Sequence, residues 1–433
     1  MKKLSLFQGI LIGVFGLGAV IGVFVFATYT GNSQKNTVGP VVIWGTLPAA
    51  GMNAVIGIIT KNNPDIKTVS YVQKDPATLI SSLAAAIATG SGPDLVLDSQ
   101  EDLHDLERFI APISSATLPA NVFASTFIQG SSIFTAPTGY YGLPFLVDPL
   151  VLFYNGSILA SSGIAKPPAT WEALTGLVPT VATLTATRQV TRSLIGLGTY
   201  DNVHDARGIL SSLFLQTGVP ISSYSGNGLL SADLGTSIKN GALPGQAVVG
   251  FYTQFADPSK VSYTWNASLP DSQQSFLAGD VALYLGYISE ASYLLSANPN
   301  LNFSVASLPE PATAQTKNVY GLIYALMIPR GAANPSGAYQ VAALMTDSAE
   351  QTAAASAEGL APASLNMLAS APGDPTAAIA YSEALYTHGW LSPGPGSTDA
   401  IFSAMIGGVI SGQSTIPAAL NSAERSFDAL LQQ

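Results

Sequence analysis

From Asp98 to Glu107 the chain reads DSQEDLHDLE, so Asp98, Glu101, Asp102, Asp105 and Glu107 bring carboxylate oxygens close to the imidazole of His104. Oxygens and one ring nitrogen at this density could hold a divalent cation. Acids in the first turn of a helix are also favoured by its dipole while remaining solvated. With Leu103, Leu106 and Ile110 spaced as one helix face, that structural reading is preferred and no metal is expected. Catalytic signatures are missing: there is no GxSxG, Walker A, HExxH or CxxC, and His104, His204 and His388 lie far apart in the chain. The absence of cysteine removes thiolate nucleophiles, thiolate metal sites, disulfides and any lipid anchor on Cys. A glycosidase-type acid pair stays open, because any two acids can meet in space.

The elements that would carry these residues follow from length and punctuation. With 433 residues, 48% of them hydrophobic, two domains are the default expectation. Only 10% are charged, 16 basic against 26 acidic, with no basic run beyond Lys2-Lys3, which argues against nucleic acid and favours a small neutral ligand. Val41–Trp44, Ile66–Val72 and Leu95–Leu97 read as strands separated by helices over 53–61 and 78–89, the β-α-β pattern of a parallel sheet. The loops after such strands, Gly45–Pro48 and Asp98-Ser99, are where ligands sit in open α/β sheets. Pro144 and Val147-Asp148-Pro149 force an extended run into the apolar strand Leu150–Tyr154. Asn155-Gly156 turns it, and Thr170 caps a helix beginning at Trp171. Ile195–Tyr200 reads as a further strand.

The N-terminus carries Lys2-Lys3 before an apolar stretch over 4–29 that is uncharged from Gly9 to Tyr29, at ~1.5 Å per residue long enough for the ~30 Å bilayer core. An uncleaved transmembrane anchor over residues 1–30, inside-out, is the preferred reading, with 31–39 as a linker. The alternative is a signal peptide cleaved after Val25-Phe26-Ala27. Either places the body outside the cytoplasm.

YGLP, the strand ending Phe153-Tyr154-Asn155, Gly163-Ile164 and PPATW follow one another between Tyr140 and Glu172. In that order they resemble the hinge of the maltose-binding-like extracellular solute-binding proteins of ABC importers. SFLAGDVALYLGY (275–287) is similar to that family's F-x-x-G-x-x-A-M-x-x-G-x-W pattern, with Tyr287 near where tryptophan is common. DSAEQTAAASAEGLAPA and SGQST add further resemblance.

The resemblance implies a two-lobed, type II periplasmic-binding-protein-like clamp. Lobe 1 would comprise 40–147 and 324–390, lobe 2 would comprise 148–323 and 391–433, and three crossings would lie near 146–150, 319–324 and 391–396. It implies a monomeric, non-enzymatic binder without cofactor, whose partners are a small solute, carbohydrate by expectation, and ABC permease subunits. A sugar cleft wants aromatic plates with polar partners at strand ends. The matched positions nominate Trp44, Tyr200, Trp265, Tyr287, Tyr320 and Trp390 as plates and Thr46, Asp98, Ser99, Asp148 and Asp201 as polar contacts. Trp171 is set aside as a packing residue. A surface sensor or adhesin with the same clamp, and an extracellular carbohydrate-active enzyme, are the competing readings.

Overall fold

A computed structural model describes residues 38–433 except 64, 65, 67, 227, 239 and 240. The apolar stretch over 4–29 lies outside them. Among the described residues no helix is long and apolar enough to cross a membrane.

Three parallel strands open the body: β1 (Val41–Gly45), β2 (Val69–Gln73) and β3 (Leu95–Ser99), with β1 between the other two. The helices between them are α1 (Ala49–Asn62) and α2 (Pro76–Thr89). On α1, Met52, Val55, Ile56 and Ile59 are buried, a spacing that turns one face toward the sheet. On α2 the buried residues are Leu79, Leu83 and Ala86; Asp75 caps its start by accepting from the Ala77 N–H, and Gly90 ends it in the left-handed conformation.

The long strand β4 (Gly142–Asn155) is buried at every residue but Tyr154. Burying each large apolar side chain contributes about 1.5–3 kcal/mol, so this strand is a major part of the core. Its first half pairs antiparallel with β8 (Val319–Met327), matching Gly142 with Met327 and Pro149 with Gly321. From Leu150 onward it changes partners. It then pairs antiparallel with β6 (Val281–Tyr287), and from Leu152 with β7 (Phe303–Ala306). β6 pairs parallel with β5 (Val190–Ile195), while β8 pairs antiparallel with β3. One strand thus belongs to two half-sheets, and the fold is an α/β, two-lobed periplasmic-binding-protein-like one.

Several local expectations change. The strand placed at Ile195–Tyr200 ends at Ile195; Gly196 and Gly198 then pass Ser272 and Ala256 too closely to admit side chains, and Gly198 takes a positive φ that leaves strand geometry. Residues 100–109, expected as one helix, form short 3₁₀ and α turns. Beyond α4 (Pro335–Met345) two helices close the chain, α5 (Pro395–Ile410) and α6 (Ile416–Leu431), with Phe402 and Phe427 edge-on at 5.4 Å.

Candidate functional site

The carboxyl ends of β1 and β3 are held rigidly. A Cβ on Gly45 would lie 2.7 Å from the Tyr71 hydroxyl, which itself donates to the Leu47 carbonyl at 2.7 Å. Asp98 Oδ1 accepts from the Ser99 N–H at 2.9 Å and from the Thr46 hydroxyl at 3.1 Å, while Oδ2 is buried without a partner. Ser99 also accepts from the Glu101 N–H. Gln100 knits this turn to β8, donating to the Gly321 carbonyl and accepting from the Ile323 N–H.

That geometry presents Glu101 to the other half-sheet. There α3 (Ala206–Leu215) carries Arg207, whose Nε and Nη2 donate to the two Glu101 oxygens at 2.9 and 3.0 Å. Arg207 Nη1 donates to Asp399 of α5 at 2.6 Å, and Tyr200 donates to the other Asp399 oxygen at 2.6 Å. Tyr320 completes the group by donating to Glu101 at 2.5 Å. The bidentate guanidinium–carboxylate fork fixes both side chains, and this pairing raises the Arg207 pKa further, so it stays cationic.

Beside this bar stand acids without a basic partner. Burial raises the Asp98 carboxyl well above its usual range, helped by Asp102, and Asp102 itself rises to about 6 through burial and the Glu101 charge. Asp148, on β4 where the partners change, accepts from the Ser289 N–H at 3.1 Å, and burial lifts it to about 7. Asp205 sits in a left-handed conformation, φ 54°, unusual for a residue other than glycine and a mark of local strain. Burial and the Glu290 charge raise its carboxyl as well. Burial raises the Tyr324 hydroxyl of β8 well above its usual range, with the charges of Asp148 and Asp98 adding to it.

A cavity of about 360 Å³ opens here, lined by Tyr200, Asp205, Arg207, Gly208, Tyr287 and Asp399 among others. The Tyr287 hydroxyl is buried and unpartnered. His204, Asp205 and Glu290 bring ligand-type atoms within 4.8 Å of one another. Glu290 already accepts from the Tyr287 N–H, the Gln273 amide and the Tyr284 hydroxyl, so it has little left for an ion. A second cavity, about 430 Å³, has Glu107, Tyr141, Tyr224, His388 and Trp390 in its wall. It is as rich in polar side chains as the first and takes its wall from 103–141, 215–230 and 388–391, whereas residues 200–208, 271, 287 and 399 alone line the first; the first is distinguished by adjoining the Glu101–Arg207–Asp399 ion pairs.

Residues 54–380 match the family model of the bacterial extracellular solute-binding proteins. This chain belongs to that family. The cyclic α-maltosyl-1,6-maltose binding protein of Arthrobacter globiformis superposes with a TM-score of 0.74, at 16% identity, over 91% of this chain and 100% of that one. A cyclo/maltodextrin-binding protein complexed with maltotetraose gives 0.71 at 16% identity, over 93% and 99%. The GacH receptor of Streptomyces glaucescens gives 0.67 at 16%, over 91% and 99%. At such identities the likeness shows the fold alone. An uncharacterised lipoprotein encoded in the oleD 5′ region of Streptomyces antibioticus is 29% identical over 175 residues, 37% of this chain; the match spans 35% of that relative's own length.

Set against this solute-binding fold, the nominated residues divide. Tyr200 and Tyr287 line the first cavity; Thr46, Asp98 and Ser99 cluster at the ends of β1 and β3 and Asp148 lies within β4, and these four are not among its lining residues. Asp201 lines the cavity and accepts from Ser403. Trp44 stands half-buried at the end of β1, with the Lys74 ammonium 3.6 Å from its ring centre. Three of the plates are packed inside the protein. Trp265 is 1% exposed and its Nε1 donates to Asn202; Tyr320 is 1% exposed and spent on Glu101. Trp390 is 5% exposed, donates to Ser211 and packs edge-on against Phe427 at 5.5 Å, leaving only one edge for the second cavity. Glu101 and Asp102 are also corrected: they are 5% and 8% exposed, buried rather than solvated. Trp171 is a packing residue, 4% exposed and bonded to Gln216. Sequence reasoning missed Arg207, Asp205, Asp399, Glu290 and Tyr324. An arginine early in an apolar helix was a signal for Arg207; the others carried none.

Proposed function

We propose that this protein is the extracytoplasmic solute receptor of an ABC importer, tethered by its N-terminal apolar stretch, which captures a carbohydrate-type solute and hands it to the permease. Lobe 1 comprises 40–147 and 324–390 and lobe 2 comprises 148–323 and 391–433, hinged where β4 and β8 pass between them. The observation that carries the reading is the Glu101–Arg207–Asp399 bar, which joins the loop after β3 to α3 and α5 beside a polar cavity. A solute touching both lobes shifts the population toward the closed state, and the bar contributes to that state. Tyr200 and Tyr287 supply ring faces, and Thr46, Asp98, Ser99, Asp148 and Asp201 supply polar contacts. Family membership and the sugar-binding structural neighbours support a receptor without turnover.

The test is a thermal-shift screen of the full chain in detergent against mono- and oligosaccharides, neutral and amine-bearing. A solute at a hundred times its Kd adds about 2.7 kcal/mol, a readily seen shift. One sugar class should raise the midpoint and remain unconsumed. Consumption of the hit would replace the receptor with an enzyme, and a flat response to every sugar would remove the carbohydrate assignment.

A further inference from the structure

The second cavity, of about 430 Å³, draws its wall from three separate parts of the chain. Leu103 and Glu107 come from the turns over 100–109, Leu215 and Tyr224 from the end of α3 and the hairpin strand Ser222–Tyr224 beyond it, and His388 and Trp390 from the segment 388–391. These parts are in reach of one another. Burial pushes the Tyr141 and Tyr224 hydroxyls above their usual range, and the Glu107 charge adds to both. Segment 388–391 is fixed to both walls: a Cβ on Gly389 would lie 2.5 Å from the Gln100 side chain, Ser222 donates to the Leu391 carbonyl at 2.7 Å, and Trp390 donates to Ser211 of α3 at 3.0 Å.

The wall suits a small ring that carries hydroxyls. Tyr224 is 58% exposed, a large aromatic face left open at the cavity, and such a face packs against the apolar side of a sugar. Burial lowers the His388 pKa, so at pH 7 its neutral imidazole offers one donor and one acceptor. Among the described residues neither Tyr224 nor His388 spends its side chain on a hydrogen bond. Glu107 supplies a carboxylate, whose bonds to hydroxyls are charge-assisted, and Ser132 and Thr135 add hydroxyls of their own. None of the lining residues is lysine or arginine, which sets phosphorylated ligands aside. The volume lies in the range that holds a small organic ligand.

The cavity also shares its supports with the Glu101–Arg207–Asp399 bar. Glu101 lies in the first of the turns over 100–109 and Glu107 in the last. Arg207 and Leu215 stand at opposite ends of α3, about 12 Å apart along its axis. Parting Glu101 from Arg207 therefore tilts both walls of the cavity about segment 388–391. A ligand that fits the cavity as it stands favours the arrangement in which the bar is made. Going beyond the solute-receptor reading, we propose that this cavity is a second binding site, for a neutral mono- or disaccharide held by Glu107, Tyr224 and His388, and that filling it strengthens the bar at the other end of α3.

Calorimetric titration of the full chain in detergent at pH 7 with D-glucose, D-galactose and maltose tests the site. At least one sugar should bind with a Kd of about 1 mM or tighter. Tyr224→Ala and Glu107→Gln should each weaken it at least tenfold, while Gly208→Ala, which crowds the first cavity, should change it less than threefold. Because Tyr224 is exposed, its variant still decides should Glu107→Gln fail to fold. Arg207→Met, which opens the bar, should weaken the same sugar at least fivefold; if it does not fold, the double variant with Glu101→Gln takes its place. Unchanged affinity in Tyr224→Ala together with loss in Gly208→Ala confines the sugar to the first cavity, which overturns the second site and leaves the receptor reading intact. Binding by none of the three sugars overturns the second site, whereas the receptor reading falls only with the wider screen. Binding that depends on Tyr224 but stays within twofold in Arg207→Met overturns the coupling to the bar.

Discussion

Arg207→Met isolates the bar across the cleft. Methionine retains the apolar stem but removes every donor to Glu101 and Asp399 except the two tyrosine hydroxyls. The Glu101 side chain is 7% exposed and that of Arg207 22%, so the variant leaves a buried carboxylate without its cation, a loss that typically costs about 3–5 kcal/mol. Asp399 is 44% exposed and water takes over much of its share, adding less than about 1 kcal/mol. A net loss of about 3 kcal/mol, at about 2 °C per kcal/mol for a large chain, lowers the thermal midpoint by about 6 °C. Glu101→Gln in the same background removes the stranded charge, and the double variant should recover about half of the loss, giving a coupling of about 2 kcal/mol in the mutant cycle. Differential scanning fluorimetry of the four proteins at pH 7 measures this. A fall of under about 1 °C for Arg207→Met, or additive single effects, would refute the assignment of stability to this pair.

Asp148 gives a pH dependence. The folded chain keeps its proton up to about pH 7 whereas the unfolded chain releases it near 3.8, so the folded state binds more protons between these values. Its contribution, on the order of 4 kcal/mol at most, is therefore lost as pH rises through that window; the urea midpoint should be higher at pH 5 than at pH 8, with the difference reduced in Asp148→Asn. Gly208→Ala would place a Cβ 2.6 Å from the Tyr287 hydroxyl. Despite a gain of about 1 kcal/mol in helix propensity, it should weaken solute binding at least tenfold by titration calorimetry. Trp390→Ala should cost about 3–5 kcal/mol in chemical denaturation as a core truncation, while solute affinity changes less than threefold, as befits a packing residue.

The fold was legible because its signals are local. Proline, asparagine and glycine punctuate the entry to β4, and Asp75 and Thr170 perform the capping their positions imply. Local sequence also placed Asp98 and Ser99 at the end of β3, where the strand closes. Tryptophan is a poor guide, because the same large ring that makes a sugar plate also makes a core anchor. Only burial by residues distant in sequence separates Trp390 from Trp44. The acids after β3 show the same limit. Spacing predicted a solvated helix start, yet Tyr320 and Arg207, far along the chain, turn Glu101 inward.

This charge distribution also revises what composition means. Only 10% of the residues are charged, and the chain appeared suited to neutral ligands on that ground. Among the described residues Asp94, Asp98, Glu101, Asp102, Asp148, Glu350 and Glu383 are buried, while no lysine or arginine is. Asp98, Glu101 and Asp102 follow one another at the end of β3, so a low overall charge does not mean a neutral interior. A carboxylate accepting from a hydroxyl makes a stronger, charge-assisted hydrogen bond than an amide oxygen does, so acids at such positions suit a hydroxyl-rich solute at the cost of their own desolvation.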